Sequence, residues 1–175
     1  LTVAEACAVS KPRAWARLLF HLVRELEPDT CVEMGTCVGI SAAYQAAALH
    51  LNGHGRLVTL EGARPLARLS EDNLVGLGLE NARVVPGRFQ DTLDDVLAEH
   101  APVDFIFIDG HHDEHATLGY FEQARPHLAP GAVLVFDDIA WSAGMARAWT
   151  AVTEHPDVAL SVSLGAMGIC SVGEL

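Results

Sequence analysis

The chain has 175 residues, half of them hydrophobic, and 23 acidic against 11 basic side chains give it a formal charge of −12. That size suits one domain with a real core. The acidic balance, without any cluster of Lys or Arg, excludes a surface built to condense on phosphate backbones, so a small-molecule partner is expected rather than nucleic acid.

No apolar run approaches the roughly 18 residues of a membrane span, and the opening LTVAEACAVSKPRAW lacks the charged and apolar regions of a secretory signal. The start on Leu1 points to a processed or trimmed chain with a segment ahead of it. Cysteines 7, 31, 37 and 170 form no CxxC, and three lie in or beside apolar runs, which suits buried, reduced thiols in the cytoplasm.

In chain order, the first predicted element is a helix after Ser10 and Pro12. Trp15, Leu18, Leu19, Leu22, Val23 and Leu26 share one face of it, and Pro28 stops it. Predicted strands follow at TCVEM (30–34), RLVTLE (56–61), ARVVP (82–86), VDFIFID (103–109) and AVLVFD (132–137), separated by helix-like stretches. That alternation predicts a doubly wound α/β fold, a largely parallel sheet with helices on both faces. VALSVSL (158–164) and GICSV (168–172) are joined only by GAM, so they form an antiparallel hairpin that brings the strand count to seven.

Ligands of such sheets sit beyond the carboxyl ends of the strands. The first strand runs into EMGTCVGIS, where Gly35 and Gly39 allow a tight turn, the following helix offers free N–H groups to an anion, and Ser41 adds a hydroxyl donor. The spacing is GxxxG rather than the dinucleotide GxGxxG, which disfavours a nicotinamide-dependent dehydrogenase. Glu61 ends the second strand about 20 residues beyond the glycines, where an acid can accept both hydroxyls of a ribose. Turn glycines and a helix-capping or solvated acid would give the same letters.

With VEMGTCVGIS, LVTLEG and VVPGRFQD in this order, residues 10–175 resemble the class I S-adenosylmethionine-dependent methyltransferases. The pattern ExGxxxGxS is more narrowly similar to the catechol O-methyltransferase-like branch. The resemblance implies a Rossmann-like core at residues 30–175 behind a helical lead at 1–29, together one methyltransferase domain. It also implies that Glu33, Gly35 and Gly39 lie by the methionine part of S-adenosylmethionine, Ser41 holds its carboxylate, Glu61 binds ribose and Gln90 contacts adenine. Phe89 stands where a small polar residue is usual.

FIDGHHDEH (107–115) and LVFDDIAW (134–141) bring Asp109, Asp137 and Asp138 to the same sheet edge. Carboxylates that close repel unless a cation or strong donors compensate, and hard oxygen ligands suit Mg²⁺; acids capping the next helices are the alternative. The resemblance favours metal, since both segments look like the paired metal-binding segments of Mg²⁺-dependent small-molecule and sugar O-methyltransferases, with Asp109 also on the cofactor side. In the catechol branch His112 matches a catalytic Lys, so it is the first candidate base, and His111 the second. A zinc pair at His111 and His115 lacks the accompanying ligands. Trp141 is either a wall of the acceptor pocket or packing; Trp149, Tyr44 and Tyr120 read as packing.

The expected activity is methyl transfer to a hydroxyl of a small molecule, assisted by Mg²⁺. A non-catalytic cofactor-binding or partner-binding domain and a hydroxylase-like relative are the alternatives. A homodimer through the first helix or the hairpin is compatible with the sequence.

Overall fold

The computed structural model describes residue 5 and residues 10–173; Cys7 and most of the first nine residues lie outside the described residues. Runs of β-branched and apolar residues form the strands β1 (Thr30–Met34), β2 (Arg56–Glu61), β3 (Ala82–Pro86), β4 (Val103–Ile108), β5 (Leu128–Phe136), β6 (Val158–Ser163) and β7 (Gly168–Val172). They make one sheet in the order β3-β2-β1-β4-β5-β7-β6. β2 pairs in parallel with β1 and β3, and β4 with β5, whereas β7 is antiparallel to both β5 and β6. This is the largely parallel α/β sheet expected from the alternation, with the terminal hairpin, and it is the Rossmann-like core that the resemblance implies. The chain falls into two compact units, Leu1–Leu93 and Asp94–Leu175.

In the first unit the helices are α1 (Arg13–Leu26), α2 (Ile40–Asn52) and α3 (Arg64–Gly76), and α4 (Phe89–His100) begins there. β1 is buried at every position, as a strand covered on both faces must be, so its sequence shows no polar alternation. α1 buries Ala16, Leu19 and Val23 and packs on α2. The Arg24 guanidinium bonds the Asn52 side chain, whose amide donates to the Val23 carbonyl at 3.0 Å. Leu26, expected on the buried face, is 46% exposed. Glu27 adopts a left-handed cap conformation and turns the chain away one residue later.

The second unit contains α5 (Glu114–Ala124), a short 3-10 turn and α6 (Ala143–Thr153). Asp113 caps α5 by accepting from the Ala116 N–H at 3.0 Å, and Ser142 caps α6 by accepting from Met145 at 3.1 Å. β5 starts at Leu128, four residues before its predicted start, with Pro130 and Gly131 inside it. The β4–β5 register slips between the Val103–Leu128 and Phe105–Val133 pairs, and this irregularity absorbs the residue with no N–H to give. Asp109 and Asp137 each follow their strand by one position instead of ending it. Cys31, Cys37 and Cys170 are free thiols; Cys31 and Cys170 are buried, and burial pushes the Cys170 thiol up to about 12.

Candidate active site

The loop between β1 and α2 is held open by its glycines. Gly35 has φ +105° and Gly39 φ +89°, and a Cβ on Gly39 would also stand 3.2 Å from the Ser70 Cβ. The N–H groups of Gly35 and Thr36 both donate to the Leu60 carbonyl, at 3.0 and 3.2 Å, which ties the loop to the end of β2. Gly39 caps α2 without a side-chain acceptor, leaving the first-turn N–H groups without a capping side chain.

Glu61 stands beside this loop. Its Oε2 accepts from the Cys37 N–H and its Oε1 from the Ala63 N–H, each at 2.8 Å. Two backbone donors aim the carboxylate while each oxygen keeps lone-pair capacity for a hydroxyl. Cys37 takes a left-handed φ of +51° to place its N–H there. Gln90 lies exposed in the first turn of α4, beside the buried Phe89.

Glu33 is 0% exposed. Its Oε1 accepts from Gln45 Nε2 at 2.8 Å and its Oε2 from Thr59 Oγ1 at 2.5 Å; the Ser41 hydroxyl also bonds it. Burial outweighs these donors and pushes the carboxyl up to about 7. The Ser41 side chain is thus turned to Glu33 inside the protein. Gln45, Thr59 and Thr36 belong to this polar cluster, and the sequence reading missed them. An i,i+4 pair of polar residues on an otherwise Ala-rich helix, Ser41 and Gln45, was the available signal.

In the second unit, His112 Nε2 lies 3.8 Å from Asp109 Oδ1 and 3.7 Å from Asp138 Oδ2. Both separations exceed a hydrogen bond, yet two carboxylates face one imidazole nitrogen. Asp137, next in the chain, is buried. Three non-glycine residues here have positive φ: His111 at +64°, His112 at +33° and Asp138 at +53°. Such backbone is costly and concentrates at functional sites. His111 Nδ1 shares a hydrogen bond with the hydroxyl of buried Tyr120, whose ring stacks on the imidazole at 5.8 Å and 18°. Burial holds the Tyr120 phenol above its usual range.

Asp109 and Asp138 offer hard oxygen donors, and each directs one oxygen toward His112. Among the described residues, however, no three His, Cys, Asp or Glu side chains are gathered as a metal-holding group. His115 is an exposed residue in the first turn of α5. Trp141 is 73% exposed and packs no core, whereas Trp149 lies 5.7 Å from Phe136 and donates to Ser163 Oγ at 2.7 Å.

Residues 32–139 match a family model described as a methyltransferase domain, and the chain belongs to that family. It is 31% identical over 134 residues to a catechol O-methyltransferase of Niastella koreensis, an alignment covering 75% of this chain. The chain spans only 59% of that relative's length. Among solved structures it resembles an O-methyltransferase from Bacillus cereus in complex with SAH, at 26% identity and TM-score 0.80, covering 98% of this chain and 86% of that one. It also resembles TomG, an O-methyltransferase from Streptomyces achromogenes in complex with SAM and involved in tomaymycin synthesis. There the identity is 25%, the TM-score 0.81 and the coverage 94% of this chain and 82% of that one.

Proposed function

We propose that the protein transfers a methyl group from S-adenosylmethionine to a hydroxyl of a small molecule, assisted by Mg²⁺, and works as a single methyltransferase domain in the cytoplasm. The observation that carries this is Glu61, aimed by two backbone donors beside a glycine loop with two left-handed glycines. The family match and the cofactor complexes of similar O-methyltransferases support it.

In this reading Glu61 accepts the two ribose hydroxyls, and Gln90 contacts adenine from the start of α4. Gly35 and Gly39 let the backbone approach the methionine part, with the open N–H groups of α2 meeting its carboxylate. Glu33 and Ser41 support the loop from inside, because their side chains bond each other.

Asp109, Asp137 and Asp138 would hold Mg²⁺. When bound, S-adenosylmethionine supplies an electrophilic methyl and Mg²⁺ supplies positive charge at the acceptor oxygen. His112 takes the acceptor's proton at Nε2, the atom that Asp109 and Asp138 face at 3.8 and 3.7 Å. His111, hydrogen-bonded to Tyr120, is the second candidate base.

Calorimetric titration of S-adenosylhomocysteine into the wild type and into Glu61→Ala tests the cofactor half. Binding to the wild type that Glu61→Ala weakens at least about tenfold is expected, the loss of roughly two charge-assisted hydrogen bonds. A wild-type protein that binds neither S-adenosylmethionine nor its product sinks the reading.

A further inference from the structure

Beneath the glycine loop runs an unbroken chain of short hydrogen bonds that the reading above does not use. Glu33 Oε2 meets Thr59 Oγ1 at 2.5 Å, and Thr59 Oγ1 meets Thr36 Oγ1 at 2.6 Å. All three residues are buried, and Thr36 belongs to the loop itself, its carbonyl accepting the Gly39 N–H at 2.8 Å. Each hydroxyl has one proton to give, so the chain has two directions. With Glu33 ionised, Thr36 donates to Thr59 and Thr59 to the carboxylate. With Glu33 protonated, the carboxyl donates to Thr59 and Thr59 to Thr36, reversing the polarity presented to the loop.

The surroundings leave that choice finely balanced. Facing Glu33 from α2 are Ser41 and Gln45 and from β2 Thr59, all neutral; the charge acting on it is that of Lys11, ahead of α1. Gln45 gives its amide N–H to Glu33 and the Ser41 carbonyl, while its own buried Oε1 has no donor. Burial outweighs these three donors and Lys11 and pushes the carboxyl up to about 7, where its proton exchanges under physiological conditions.

S-adenosylmethionine carries a sulfonium that its demethylated product lacks, so the two ligands differ by one positive charge. We propose that Glu33 releases a proton to solvent when the positively charged methyl donor binds and keeps it when the uncharged thioether product binds, the Glu33–Thr59–Thr36 chain reversing direction to match. The inference rests on the glycine loop being the site of S-adenosylmethionine. The one bond broken is the carboxyl O–H of Glu33, whose electron pair stays on the carboxylate while the proton bonds to a buffer base. The consequence is a preference for donor over product that grows with pH and limits product inhibition.

The test is calorimetric titration of S-adenosylmethionine and of S-adenosylhomocysteine, between about pH 5.5 and 8, in buffers of differing ionisation enthalpy, into wild type and Glu33→Gln. Wild type is expected to release a proton on binding S-adenosylmethionine only. Its donor-over-product affinity ratio should rise about tenfold across that range, the change produced when the carboxyl's midpoint falls by one pH unit on binding. Glu33→Gln should abolish both effects. Equal proton release for the two ligands, or release unchanged in Glu33→Gln, overturns the proposal.

If Glu33→Gln does not fold, Thr59→Val keeps the size while removing one donor to the carboxylate. The pH midpoint of the affinity ratio should then move upward, and an unmoved midpoint overturns the proposal. Wild type that binds neither ligand refutes the cofactor reading itself, a result distinct from binding without proton release.

Discussion

Glu61 and Glu33 are both acids at the carboxyl end of a strand, and their surroundings give them opposite properties. Glu61 meets two backbone N–H groups. Replacing it by Gln would press an amide N–H₂ against one of those donors, so Glu61→Gln should weaken S-adenosylhomocysteine at least about tenfold in calorimetry, with a much smaller change in melting temperature. Glu33 is sealed in, and its proton affinity is raised from 4.5 to about 7. Between those values the folded protein binds more protons than the unfolded chain, so the neutral acid's advantage is full below about pH 4.5 and is lost as pH rises through 7. Denaturant melts should show stability falling by roughly 3 kcal/mol over that window in the wild type and much less in Glu33→Gln. The sequence made Glu61 legible because its role depends on strand position. The burial of Glu33 was not legible, since nothing in the letters VEMG says that Gln45 and Thr59 close over the carboxyl.

Strand existence followed from patterning because the buried strands are short apolar runs, whereas among the intervening helices α5 and α6 have a side-chain cap, Asp113 and Ser142, and α2 and α3 have none. Boundaries were legible only where backbone chemistry agreed with the pattern. β5 crosses Pro130 and Gly131, which locally read as a stop, because the register slip against β4 lets pairing continue around them. Packing between elements was also invisible in the letters, and α6 against the hairpin is the clearest case. A Cβ on Gly168 of β7 would stand 2.8 Å from three ring carbons of Trp149. Gly168→Ala should therefore cost about 1–3 kcal/mol in urea denaturation by overpacking, and Trp149→Leu in the same chain should recover part of that loss. An unchanged denaturation midpoint for Gly168→Ala would mean that the indole moves aside freely.

Taken over the whole molecule, the residues of the proposed cofactor site other than Asp109 fall in the unit Leu1–Leu93, and the acid and histidine cluster falls in Asp94–Leu175. That division makes the two halves of the proposed function experimentally separable. Glu61 and the glycine loop take their hydrogen bonds from β2 and from backbone donors of the first unit. Chelation of divalent metal should lower methyl transfer to a small-molecule hydroxyl by at least about tenfold, the scale of a lost Lewis acid at the acceptor oxygen, while S-adenosylhomocysteine affinity stays within about twofold. Asp138→Asn should reproduce this split at saturating Mg²⁺, because it removes one of the two carboxylates facing His112. A transfer rate indifferent to chelation but lowered by Asp138→Asn would assign the carboxylates to His112 instead of to a metal. Two carboxylate oxygens facing one imidazole nitrogen at 3.8 and 3.7 Å then position the base, and the same geometry serves the reaction without a metal.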